Sequence, residues 1–168
     1  MGDEGPWSFG EINSDNTINI WTYDNAGCDN GYSEDGKGTA NDILTWHDLV
    51  PTSWQYVRTD GIVHSLQNKP MAAVFTAPED AVYMICSAVS SQDANRVSKG
   101  RGDMRSYAYF IQEGSVTLSQ ITDPVSYNYD TDPAQYRFFA NLKAGDKIAI
   151  TAADCRHSSN GNQLSKID

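Results

Sequence analysis

The chain has 168 residues, enough for one packed domain and too few for two of ordinary size. Hydrophobic residues make up 39% and aromatic residues 11%, which excludes a disordered chain, and no apolar run approaches the roughly 20 residues of a membrane helix. With 22 acids against 12 bases the net charge is -10, which excludes a nucleic-acid partner, because phosphate binding needs a basic face.

The periods along the chain are strand periods. Residues 17–23 (TINIWTY) alternate, with Ile18, Ile20 and Thr22 on one face and Asn19, Trp21 and Tyr23 on the other. A polar, glycine-bearing loop follows over residues 24–38. Residues 42–50 (DILTWHDLV) fit either a short helix or an edge strand. Residues 54–58 and 62–67 flank Asp60-Gly61, a hairpin signal, because Asp-Gly accepts the positive φ of a tight turn. Residues 70–76 and 81–89 are predicted strands around the turn Ala77-Pro78-Glu79-Asp80, and residues 90–106 are a predicted loop. Residues 107–112 and 115–119 flank Glu113-Gly114, a second hairpin signal. Strands are further predicted over 125–129, 135–140 and 147–152, the last entered through Ala144-Gly145-Asp146. The tail from Asp154 is polar until Leu164 and Ile167.

Short strands with turn signals at this spacing, and at most one short helix, predict an all-β fold: an antiparallel β-sandwich of the jelly-roll type forming a single domain over residues 1–168. Of the three cysteines, Cys86 lies in an apolar strand run and is expected in the core. Cys28 and Cys155 lie in polar loops, as a bridge or as free thiols.

Two motifs carry a resemblance. Phe75-Thr76-Ala77-Pro78-Glu79-Asp80-Ala81-Val82-Tyr83 resembles the F-x-A-P-x-x-G-x-Y strand-turn-strand of many jelly-roll modules, departing from it at Ala81. Leu142-Lys143-Ala144-Gly145-Asp146-Lys147-Ile148 resembles their later L-x-x-G-D-x-I turn. The pair is similar to carbohydrate-binding-module-like sandwiches of polysaccharide-degrading bacteria. It is also similar to trimeric complement-head and tumour-necrosis-factor-like domains. The resemblance implies a fold and leaves the ligand open.

The residues themselves point to sugar binding. A sugar ring stacks its C–H face on an aromatic ring, while its hydroxyls take amide or charged partners at the edge. Trp21 with Tyr23, Trp54 with Tyr56, His64 across the hairpin, and Trp46 beside the polar loop are the candidate platforms. Trp7, near the start of the chain, is expected to cover the core. Arg96 and Lys99, in the loop over residues 90–106, are candidate edge donors. Asp24, Asp29, Glu34 and Asp35 supply oxygen ligands for a structural Ca2+, although no cofactor is required. No motif for nucleophilic or metal catalysis is present, and no glutamate lies in an apolar strand where its pKa would rise. The expected function is therefore non-catalytic polysaccharide binding, with an α-glucan such as starch the first candidate. The expected setting is a secreted or cell-surface bacterial protein with covalently linked neighbouring modules. The alternative is a trimeric protein-interaction jelly roll.

Overall fold

Alternation and turn chemistry translate into strands. The computed structural model describes residues 5–24, 45–47, 56–58, 62–65, 70–91, 104–127, 133–152 and 163–167. Within these it holds β1 (Trp7–Ile12), β2 (Ile18–Ile20), β3 (Thr22–Asp24), β4 (Thr45–His47), β5 (Tyr56–Arg58), β6 (Ile62–Ser65), β7 (Met71–Thr76) and β8 (Ala81–Ser91). It continues through β9 (Met104–Ser106), β10 (Ala108–Ile111), β11 (Ser119–Gln120), β12 (Val125–Tyr127), β13 (Ala134–Leu142), β14 (Lys147–Ala152) and β15 (Gln163–Ile167). No helix occurs among the described residues, and the ambiguous segment around Trp46 takes its strand alternative as β4.

The strands form two large antiparallel sheets and one ribbon. The first sheet runs β11-β10-β14-β7-β1-β2, the second β13-β8-β15-β6-β5-β4-β3, and β12 pairs with β9 alone. One core joins them. Phe9, Met71, Phe75, Ile148 and Ile150 of the first sheet share it with Ile85, Val89, Tyr136 and Ile167 of the second. The opposite face of the first sheet carries a second buried cluster that includes Ile12, Val74, Tyr109, Ile111 and Leu118.

The strand predicted over residues 17–23 divides at Trp21. β2 belongs to the first sheet and β3 to the second, and the Trp21 N–H donates to the Phe9 carbonyl at 2.8 Å at the crossing. The alternation therefore breaks there. Ile18 and Trp21 are buried, while Asn19 and Ile20 are exposed. This corrects the expectation that Trp21 projects to solvent: the chain changes sheets at that residue, and the indole turns into the shared core.

The two jelly-roll-like motifs dock on one another. Phe75 and Tyr83 meet edge to face at 5.1 Å, Trp7 covers Phe75 at 5.4 Å, and the Tyr83 hydroxyl donates to the Glu79 carbonyl at 2.9 Å. The Ala77 N–H donates to the Asp146 carbonyl at 2.8 Å, and the Gly145 N–H to the Ala77 carbonyl at 2.9 Å. The Asp80 carboxylate accepts from the Ala144 N–H at 2.8 Å. Gly145 sits at φ 87°, a left-handed conformation that glycine adopts without steric cost. The departure at Ala81 leaves the strand-turn-strand intact.

Asp146 holds this junction through its side chain. One carboxylate oxygen accepts from the Glu113 N–H and the other from the Lys143 N–H, each at 3.0 Å. These two bonds, Glu113 first, hold the Asp146 carboxyl below the ordinary aspartate range. A depressed carboxyl contributes stability that is present above its unfolded pKa and lost as pH falls through the folded one. Asp146→Asn is therefore expected to melt below the wild type at about pH 7, with the gap closing toward pH 3 as the wild type loses its advantage. Melting temperatures taken across that range check this, and a gap independent of pH would contradict it.

Candidate functional site

The two most exposed large apolar side chains among the described residues, Phe139 and Val82, lie on one sheet face. β8 and β13 pair in register from Ala134 opposite Val89 to Leu142 opposite Ala81. Successive residues of a strand point to opposite faces. On the inner face, Ile85, Val89, Tyr136 and Leu142 enter the core. On the outer face, Val82, Met84 and Phe139 are 65%, 52% and 74% exposed. Phe139 stands opposite Met84, and Asn141 stands opposite Val82. Next along the same face, Arg137 is opposite Cys86 and Gln135 is opposite Ala88.

This register makes a ridge beside a hollow. The ridge is Phe139 with Met84 and Val82. Where the facing residues shrink to Cys86 and Ala88, the surface drops into an open depression of about 680 Å³, also lined by Gln135 and Arg137. β13 ends the second sheet, so the ridge runs along a sheet margin. Alternation along β13 sets Gln135, Arg137, Phe139 and Asn141 in one row on the outer face, all exposed. Neighbours in such a row stand about 6.8 Å apart, two residue rises along a strand.

The electrostatics of this face differ from those of the chain. The chain carries -10, yet the outer residues of β8 and β13 include no carboxylate, and Arg137 is their one charge. Arg137 makes no ion pair among the described residues. Cys86 is a free thiol on this face, which corrects its expected place in the core. The run AVYMICSAV looks continuously apolar, but in the structure every second residue from Val82 to Cys86 lies on the solvent side. On the inner side, burial pushes the Tyr136 phenol above its usual range. An exposed ring flanked by a guanidinium and two amides can stack on a flat apolar surface and donate hydrogen bonds at its edge.

The residues predicted from sequence fall elsewhere. Trp21 is core. Tyr23, Trp46, Tyr56 and His64 lie on the consecutive strands β3 to β6, with Tyr23 opposite Trp46, and Tyr56 opposite both His47 and His64. The register sets Tyr56 opposite His64, one residue off the Val57–His64 pairing that a two-residue Asp60-Gly61 turn predicts. Trp54, Arg96 and Lys99 lie outside the described residues, as do Asp29, Glu34 and Asp35 of the calcium candidate. Its fourth member, Asp24, ends β3.

The fold and this face place the chain among all-strand proteins built from antiparallel sheets. No family model and no curated protein matches the sequence. Three solved chains match by structure. One is described as BiXyn10A CBM1 in its apo form, with 12% identity and a TM-score of 0.31, over 95% of this chain and 87% of that one.

Proposed function

We propose that the protein is a non-catalytic carbohydrate-binding β-sandwich of the jelly-roll type, with the outer face of β8 and β13 as its binding surface. The observation that carries this reading is Phe139. It is an aromatic ring, 74% exposed, on a strand-built scaffold, with Arg137 and Asn141 on either side of it and Gln135 beyond. A sugar ring lies on the phenyl face, and its hydroxyls meet the amides and the guanidinium. A shallow, open site of this kind gives weak monovalent affinity, roughly micromolar to millimolar, because most of the sugar stays in water. Retention on an insoluble polysaccharide then comes from linked neighbouring modules in a secreted or cell-surface protein. No cofactor is required, and an α-glucan is the first glycan to test.

Affinity electrophoresis against soluble polysaccharides tests the proposal. Retardation by at least one of starch, xylan, pectin and a soluble β-glucan is the expected result. Unchanged mobility in all of them would overturn it.

One observation favours a second reading. Val82, Met84 and Phe139 form an apolar ridge at a sheet margin, which is also what a subunit interface needs. In that reading the protein is a trimeric interaction domain. Sedimentation separates the two, a monomer supporting the sugar platform and a trimer the interface.

A further inference from the structure

We infer that the ligand of this face is an acidic polysaccharide, one whose sugar units carry carboxylates, and that the hollow beside Phe139 is the carboxylate subsite. This rests on the carbohydrate-binding reading above and narrows its ligand.

The inference comes from the distribution of charge and volume. In a chain of net charge -10, the outer residues of β8 and β13 include no carboxylate to repel an anion. Their single charge is Arg137, which is exposed and makes no ion pair among the described residues. A guanidinium offers a planar fork of donors that matches the two oxygens of a carboxylate. A neutral glycan offers that fork only single hydroxyl acceptors, which the amides of Gln135 and Asn141 also serve. The hollow provides the room: Cys86 stands across from Arg137, and Ala88 across from Gln135, so neither partner fills the space. Phe139 lies next to Arg137 in the same row, about 6.8 Å along the strand. A sugar stacked on Phe139 can thus place its own carboxylate, or that of the next unit, in the hollow. There Arg137 takes both carboxylate oxygens and the Gln135 amide donates to an adjacent hydroxyl. The overall negative charge opposes approach at long range, but at physiological salt the Debye length is about 8 Å, so the local contact decides.

The test uses one sugar backbone with and without its charge. De-esterified polygalacturonate, highly methyl-esterified pectin and soluble starch are cast in separate gels, and each protein is scored against its own mobility in a polysaccharide-free gel. The wild type is expected to be retarded at least tenfold more strongly by polygalacturonate than by esterified pectin. Arg137→Gln is expected to lose that preference, and Arg137→Lys to keep part of it, because the charge remains while the fork is lost. Arg137 is exposed, so both variants are expected to keep the wild-type melting temperature. Equal retardation by the charged and esterified chains, or an unchanged preference in Arg137→Gln, would overturn the inference and leave general sugar binding standing. Failure of all three gels would remove the inference, and unchanged mobility with xylan and a soluble β-glucan as well would remove both readings. Self-association of the wild type that Phe139→Ala abolishes would assign the face to a second copy of this chain.

Discussion

Gly10→Ala is expected to destabilise the protein by about 3 kcal/mol, the upper end of the range for overpacking a packed interior. Gly10 sits in the middle of β1, opposite Ile20 of β2 on one side and Ala72 of β7 on the other. A Cβ built there overlaps the Asn19 carbonyl oxygen and stands 3.1 Å from the Asn19 carbonyl carbon and the Ile20 Cα. Every one of these atoms is backbone, so no side chain can swing aside. β2 must leave the sheet or carry β1 with it, and either movement disturbs the crossing at Trp21. A loss of this size corresponds to a drop of about 6–12 °C in melting temperature for a chain of this length. Urea denaturation is expected to show a lower midpoint with an unchanged slope. Gly5→Ala is the control, since a Cβ there meets only the Trp7 backbone nitrogen, at 3.9 Å. Equal midpoints for the two variants would contradict the packing described for β1 and β2.

Phe139→Ala is expected to weaken polysaccharide binding by tenfold or more without changing the melting temperature. Ring stacking contributes about 0.5–1.5 kcal/mol beyond simple burial, and covered apolar area adds about 25 cal/mol per Å². With about 40–50 Å² of the ring covered by the sugar, these together reach about 1.5–2.8 kcal/mol, a factor of about 10 to 100 in the dissociation constant. Because Phe139 is 74% exposed in the free protein, its removal takes little from the core. Phe139→Trp is expected to bind at least as tightly as the wild type, since the larger ring keeps the platform. Titration calorimetry or gel retardation measures both. Wild-type affinity in Phe139→Ala would remove this ring from the site.

Much of the fold was legible in the sequence because its signals are local. The KIAITA alternation is β14, residue for residue. The turn at residues 77–80 and the Gly145 turn lie where their residue types require, and the two resembling motifs meet in space. Three strands were missed because their identity is set by their neighbours. β15 (QLSKI) has two apolar residues and reads as a polar tail, yet it pairs with both β8 and β6 in the interior of the second sheet. β1 carries a glycine that suits a loop until the close approach of β2 is known. β9 is only three residues long and pairs with β12 outside the main sheets.

The site was less legible than the fold. Alternation alone turns Trp21 outward, because it carries no sign that the chain changes sheets at that residue. The outward ring is instead Phe139, in the run QYRFFA, which reads as an ordinary strand. Adjacent Phe138 and Phe139 point to opposite faces, but that alone exposes neither, since adjacent Val74 and Phe75 of β7 are both buried. Burial assigns Phe138 to the inner side and Phe139 to the outer. Arg137 and Gln135 then share the outer row, a grouping that sequence spacing supplies once the face of Phe139 is fixed.

Contact between a polysaccharide and the outer face of β8 and β13 is tested residue by residue by amide chemical shifts, recorded while titrating the most strongly retarding polysaccharide into the folded protein. The largest changes are expected over residues 82–88 and 135–141, saturating together, with β7 and β14 unmoved. Changes centred on β3 to β6, or none at saturating polysaccharide, would contradict that contact.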